Sequence, residues 1–155
     1  MNTLTRNLAS PEETARCAAA LGQRLRSGDT ILLSGDVGAG KTHFARSLIQ
    51  SVLGVAEDVP SPTFTLVQTY EAEDCDIWHA DLYRLSDPSE IEELGLIDAF
   101  DTAICLVEWP DRLAGLRPAD ALDITLSPSD GDDARILTAR WTDPRWEAPL
   151  TRWIP

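Results

Sequence analysis

Lysine is nearly absent from this chain. Of 13 lysines and arginines in 155 residues, Lys41 alone is a lysine. Cations of either kind are outnumbered by 26 aspartates and glutamates, for a formal net charge of −13. Such a chain repels nucleic acid unless a local basic stripe compensates. No arginine cluster supplies one, so any link to nucleic acid is expected to run through a protein partner. Cysteine is scarce and odd in number: Cys17, Cys75 and Cys105 form no C-x-x-C pair, which predicts reduced thiols and a cytoplasmic location. With only two histidines there is no zinc framework. No apolar run approaches membrane-spanning length, and the first residues lack a charged-then-apolar export signal. There is no internal repeat. Residues 1–155 read as one domain, long enough to bury a core, with a tail from 142 to 155 that the pattern does not place.

The single lysine stands where its chemistry is most needed. Gly35-Asp36-Val37-Gly38-Ala39-Gly40-Lys41-Thr42 fits G-x-x-x-x-G-K-[ST] at every fixed position. Glycines let the backbone turn so that its N–H groups line a concave nest for phosphate oxygens. A lysine ammonium can reach the outer phosphates, and the threonine hydroxyl can ligate Mg²⁺. The context agrees. Thr30-Ile31-Leu32-Leu33-Ser34 reads as a buried strand before the loop. Phe44, Leu48, Ile49 and Val52 recur at helical spacing after it, so the loop opens a helix whose positive dipole end faces the phosphates.

Elsewhere the chain supplies carboxylates. Ser10-Pro11-Glu12-Glu13 predicts a capped helix that carries Ala15, Ala18, Gly22 and Leu25 on a thin apolar face and ends at Gly28. Ser10 is a minor candidate for the border of an adenine site. After Gly54 stops the loop's helix, Pro60 and Pro62 mark a constrained loop. Thr63 on that loop could sense a γ-phosphate or Mg²⁺, or could simply turn the chain into a strand. Residues 64–70 and 76–83 predict an antiparallel hairpin, in which Ile77, His79, Asp81 and Tyr83 share a face. Asp81 near its end is either part of a metal shell or a solvated strand terminus, whereas His79 reads as a packed strand residue. Asp87-Pro88-Ser89-Glu90 starts another helix, ending at Gly95. Ala103-Ile104-Cys105-Leu106-Val107-Glu108 is a buried strand that delivers an acid at its C-terminal end, where α/β proteins bind ligands. Trp109 follows, to stack on a ligand or partner or to cover the core edge. Residues 121–127 and 134–141 read as two late strands; Arg135, in the second, could reach a nucleotide base but reads rather as a surface arginine.

Four blocks together resemble one family. They are the glycine loop, Ser61-Pro62-Thr63-Phe64-Thr65-Leu66-Val67, His79-Ala80-Asp81-Leu82-Tyr83-Arg84-Leu85 and Ile104-Cys105-Leu106-Val107-Glu108-Trp109-Pro110. The chain is similar, over roughly residues 10–140, to the small bacterial ATPases of tRNA threonylcarbamoyladenosine biosynthesis, the TsaE or YjeE family. The resemblance implies an α/β, three-layer P-loop NTPase with a mostly parallel central sheet plus the antiparallel hairpin. It implies Mg²⁺-dependent ATP binding and hydrolysis that resets a complex with two larger proteins, which themselves modify the tRNA. By matching positions, Gly38, Ala39, Gly40, Lys41, Thr42 and His43 bind nucleotide. Thr42 and Glu108 hold Mg²⁺, Asp81 supports the metal or water, and Thr63 is the switch threonine. Position 43, often threonine in the family, is histidine here, and the tryptophan-rich tail has no family counterpart. Two other classes remain compatible with the motifs: a non-hydrolysing ATP-binding regulatory module, and a small-molecule P-loop kinase, for which no arginine-rich lid is visible.

Overall fold

The computed structural model of the chain describes all residues except 37, 56, 57, 61, 63–65, 88, 130, 132, 152, 154 and 155. Its strands are β1 (Asn2–Leu8), β2 (Thr30–Ser34), β3 (Val67–Glu71), β4 (Asp76–Asp81), β5 (Ile104–Glu108), β6 (Leu122–Pro128) and β7 (Arg135–Trp141). They form one seven-stranded sheet in the order β1-β7-β6-β2-β5-β4-β3. The centre is parallel: β2 lies between β5 and β6, and β4 runs parallel to β5. Both edges are antiparallel, β3 on β4 at one side and the β6–β7–β1 run at the other.

Burial explains this arrangement. β5 is buried along its whole length and β2 nearly so, as expected for central parallel strands covered on both faces. One face packs α1 (Pro11–Gly22) and α2 (Lys41–Leu53) over Ile31, Leu33, Ile77, Ile104 and Leu106. The opposite face packs α3 (Ser89–Leu94) and α4 (Leu96–Thr102) over Leu32, Ala80, Cys105 and Val107. The alternation along each strand thus assigns every second side chain to one helical layer or the other. Phe44, Leu48 and Ile49 of α2 are wholly buried, each worth roughly 1.5–3 kcal/mol of burial. They seat the start of α2 against the sheet.

Several boundaries differ from the sequence pattern. The first residues, which carry no legible signal, form edge strand β1 paired to β7. Ser10 caps α1 through its side chain, accepting from the Glu13 N–H at 3.2 Å, while Glu13 accepts from the Ala9 N–H at 2.7 Å. But α1 ends at Gly22 rather than Gly28, and its buried face is Thr14, Cys17, Ala18, Leu21 and Gly22. Gly22 lies so close to α2 that a Cβ would meet the Leu48 carbonyl oxygen at 3.0 Å. The chain then turns at Asp29, whose carboxylate accepts from the Arg26 N–H. At Gly95, in the left-handed region at φ 80°, one short helix stops and a second, α4, begins; the pattern had shown only the stop.

The tail is strapped to the body. Trp146 and Trp153 are buried, and their indole N–H groups donate to the Asp120 carbonyl at 2.7 Å and the Cys17 carbonyl at 2.9 Å. A short helix, α5 (Glu147–Leu150), lies between them, and Arg145 pairs with buried Asp29 and stacks on Trp146. Such tryptophans combine large apolar burial with a satisfied polar edge.

Candidate functional site

The glycine loop connects the C-terminal end of β2 to the first turn of α2. Gly35 must be glycine for two reasons: its φ is 145°, and a Cβ there would sit 2.5 Å from the Leu126 carbonyl oxygen. The loop therefore passes tightly over β6 before it opens. Gly40 caps α2 with no side-chain hydrogen bond, and the first turn holds no acid. The leading N–H groups of α2 and their partial positive charge are left for a ligand.

Lys41 arches back over the loop. Its Nζ donates to the carbonyl oxygens of Gly35 at 2.5 Å and Asp36 at 2.9 Å, and lies 4.4 Å from the Trp109 ring centroid. It is 5% exposed. Burial lowers its pKa below the ordinary lysine value, opposed by the nearby charges of Glu108, Asp81 and Asp36. Lys41 is thus a partly desolvated cation bordered by three carboxylates. A desolvated cation of this kind binds an anion more strongly than a solvated one.

Two carboxylates meet the Thr42 hydroxyl where the loop enters α2. Register places Asp81 of β4 beside Glu108 of β5. The Thr42 hydroxyl donates to Glu108 Oε1 at 3.1 Å, and His79 Nε2 lies 2.7 Å from Glu108 Oε2. Asp81 also accepts from the Tyr83 N–H at 3.0 Å, which fixes the turn after β4. Asp81 and Glu108 are both buried. Beyond Glu108 the backbone of Trp109 takes left-handed values, φ 58° and ψ 54°. For a bulky residue this costs on the order of 1–3 kcal/mol. The sharp turn brings the indole beside Lys41 and 4.9 Å from the half-exposed ring of Tyr83.

A cavity of about 380 Å³ joins these parts. Gly38, Gly40, Lys41, Thr42 and His43 line it together with Asp81, Tyr83, Glu108 and Trp109. Its size suits a small ligand. Most of the residues singled out from the sequence thus meet in one place. Ala39 does not line the cavity; it is buried, and its N–H donates to the Asp36 carbonyl. The His43 side chain bonds the Pro11 carbonyl at 3.0 Å. Ser10 is committed to capping α1, and Thr63 lies outside the described residues.

Two residues have roles that their sequence signals understated. Arg135, at the start of β7, donates from Nε to the Ala39 carbonyl at 2.9 Å and from Nη2 to the Gly38 carbonyl at 3.2 Å. In a trans peptide the C=O and the following N–H point to opposite sides. Arg135 therefore grips the outer side of the loop and orients the Gly40 N–H, which faces the other way; the Ala39 N–H is taken by the Asp36 carbonyl. Only tertiary contact shows this, because 96 residues separate Arg135 from Ala39. His79 is packed, as its pattern suggests, but it also bonds Glu108. Period-two spacing from Asp81 was the available signal.

The residues fit a hard divalent cation. Thr42, Glu108 and Asp81 offer only oxygen donors, and among the described residues no cluster of three or more His, Cys, Asp or Glu could hold a metal alone. A site with one or two carboxylates and a hydroxyl, completed by phosphate oxygens and water, is the usual Mg²⁺ arrangement.

A parallel-centred sheet, a glycine loop running into a helix N-terminus, and carboxylates at adjacent strand ends define a P-loop NTPase fold. The family described as threonylcarbamoyl adenosine biosynthesis protein TsaE matches residues 8–137, and the chain belongs to that family. Proteins named tRNA threonylcarbamoyladenosine biosynthesis protein TsaE are similar to it over most of the chain. The one from Rickettsia bellii is 41% identical over 83% of this chain and 89% of its own length. That from Bacillus subtilis is 36% identical over 95% of this chain and 91% of its own. The crystal structure of Bacillus subtilis YdiB superposes with a TM-score of 0.82 at 29% identity, covering 98% of this chain and 94% of that one.

Proposed function

We propose that this chain is a Mg²⁺-dependent ATPase that serves as the accessory, resetting component of the machinery forming threonylcarbamoyladenosine in tRNA. The observation that carries the reading is one cavity lined by Gly38, Gly40, Lys41 and Thr42 of the P-loop together with Asp81 and Glu108. Family membership supplies the pathway.

In this reading the loop N–H groups and Lys41 bind the β- and γ-phosphates. To do so, Lys41 exchanges its Gly35 and Asp36 carbonyl partners for phosphate oxygens. Thr42 and Glu108 would hold Mg²⁺, with Asp81 supporting the metal or a water; the ion would neutralise phosphate charge and orient the γ-phosphoryl group. Glu108 and Asp81, buried beside one another, orient water at the same edge. Thr63 is assigned as the switch threonine from its family block. Trp109 walls the cavity and holds the Lys41 ammonium against its ring face.

Among the described residues lining the cavity there is no arginine. Phosphoryl transfer commonly uses a donated arginine worth roughly 10³–10⁵ in rate, and Arg135 is engaged with carbonyls on the outer side of the loop. The isolated chain is therefore a slow ATPase, stimulated by the two larger proteins of the threonylcarbamoyl-transfer complex. The charge of −13 argues that it meets tRNA only through them. Among the described residues no helix is long and apolar enough to cross a membrane, and a cytoplasmic site of action fits this role.

Phosphate release is measured for the chain alone, with tRNA, and with the partner proteins. Stimulation by the proteins is expected. Fast turnover in isolation, or stimulation by tRNA without protein, would refute the reading. Binding without release would favour an ATP-sensing module, and phosphorylation of an acceptor would favour a kinase.

A further inference from the structure

His79 is wholly buried in β4. Its Nε2 lies 2.7 Å from Glu108 Oε2, and its Nδ1 has no hydrogen-bond partner among the described residues. A carboxylate oxygen accepts, so the donated proton sits on Nε2. The remaining ring nitrogen is left in the interior without a partner among the described residues. For the core alone this is a poor arrangement: an apolar side chain would fill the same space with no polar atom left unpaired. What the imidazole does at Nε2 accounts for its presence.

Glu108 is held at both ends. Oε1 accepts from the Thr42 hydroxyl at the first turn of α2, and Oε2 faces the imidazole. Thr42 is the contact that must rearrange when the hydroxyl turns to a cation. His79 sits behind the carboxylate, belongs to the sheet, and does not line the cavity. We infer that His79 is a positioning residue: its Nε2–H fixes the rotation of the Glu108 carboxylate so that Oε1 stays aimed at the Thr42 hydroxyl and the cation site. Groups of this kind, hydrogen-bonded to a metal ligand from behind, typically matter by about 10- to 100-fold in metal affinity or activity. A half-turn flip only exchanges two equivalent oxygens; what the imidazole opposes is the intermediate rotations, in which neither oxygen points at the Thr42 hydroxyl. The inference rests on the proposed role of Glu108 as a Mg²⁺ ligand.

The test compares His79→Gln, whose amide nitrogen falls close to the imidazole Nε2, with His79→Asn, whose amide is too short, and with His79→Leu, which fills the space without a donor. ATP affinity is measured by calorimetry with chelator and across a Mg²⁺ titration, alongside thermal unfolding and partner-stimulated kcat and KM. The Leu and Asn variants are expected to bind ATP normally in chelator. They should require about 10- to 100-fold more Mg²⁺ for the metal-dependent gain in affinity, with kcat reduced and KM for ATP little changed. The Gln variant is expected to recover most of the loss. If the Leu variant is unstable, the Gln–Asn pair decides alone. A wild-type Mg²⁺ response in Asn or Leu, or a Gln variant as defective as Asn at equal stability, would overturn the positioning role while leaving the metal site intact. If the wild-type chain shows no Mg²⁺ dependence, the proposed site itself fails, and the role of His79 fails with it.

Discussion

Replacing Glu108 by glutamine separates the chemistry of the site from its architecture. The side chain keeps its shape and loses its charge. The amide oxygen can still accept from His79 Nε2–H, and the amide NH₂ can donate to the Thr42 hydroxyl oxygen, so both contacts survive. Each is now a neutral rather than a charge-assisted bond. Two bonds weakened in this way cost about 1–3 kcal/mol. Against this, Glu108 and Asp81 stand at paired positions on neighbouring strands. Two unit charges about 5 Å apart, the spacing of such strands, repel by about 3 kcal/mol at an effective dielectric constant near 20. Neutralising one relieves that repulsion but also removes part of the field that favours the Lys41 ammonium. The terms nearly cancel, so stability should stay within about 2 kcal/mol of wild type, roughly 4–8 °C in Tm for a domain of this size. Hydrolysis has no such compensation and should fall at least about tenfold. ATP affinity in chelator should hold or rise, because an anion has left the phosphate side of the cavity. Thermal unfolding, calorimetry and partner-stimulated phosphate release read the three quantities. Full hydrolysis in a folded variant would refute the reasoning and move the metal and water roles to Asp81.

Lys41→Ala should weaken ATP binding by about 2–4 kcal/mol, the range for truncating one member of a desolvated charge pair; unchanged affinity by calorimetry in a folded variant would remove the P-loop assignment. Arg135→Ala releases the Gly38 and Ala39 carbonyls, and ATP affinity should drop by about 1–2 kcal/mol while kcat at saturation is kept. The reverse pattern in steady-state kinetics would place Arg135 at the reacting phosphate instead. Burial pushes the Cys17 and Cys105 thiols up from 9.0 to about 12. Above pH 9 the unfolded chain loses these protons while the native chain keeps them. Stability therefore falls as pH rises from about 9 toward 12, and urea unfolding at pH 8 and pH 10 should show that slope in wild type and a shallower one in a Cys17→Ala, Cys105→Ala variant.

The elements most legible from residues were those whose signal is local. The β2–loop–α2 unit carries a buried apolar run, three glycines and an amphipathic helix ending at Gly54, where a left-handed cap is found at φ 75°. β5 shows four apolar residues and an acid, and its burial is complete. Less legible were elements stabilised from elsewhere. Asn2–Leu8 is a strand because β7 offers it an edge. Leu96–Thr102 is a helix because Leu96, Ala99 and Phe100 find the β4–β5 face; seven residues are too few to show a clear period. The glycine signal at Gly28 does not mark the end of α1: the helix stops at Gly22, a residue that lies against α2. Trp146 and Trp153 gave no periodic pattern at all, and their places depend on the Asp120 and Cys17 carbonyls.

The sequence by itself determined the nature of the loop, the presence of a lone lysine within it, and the arrival of acids at strand ends, because glycine torsions, helix caps and strand alternation act within a few residues. It also determined the family, through four blocks in order. Tertiary structure alone decided which acids meet the loop, since Asp81 and Glu108 become neighbours only when β4 docks parallel to β5. It alone decided that His79 backs Glu108 and that Arg135 grips the loop from 96 residues away. Hydrogen bonds between distant residues follow from strand order and layer packing, and no property of either partner announces the other before the sheet has formed.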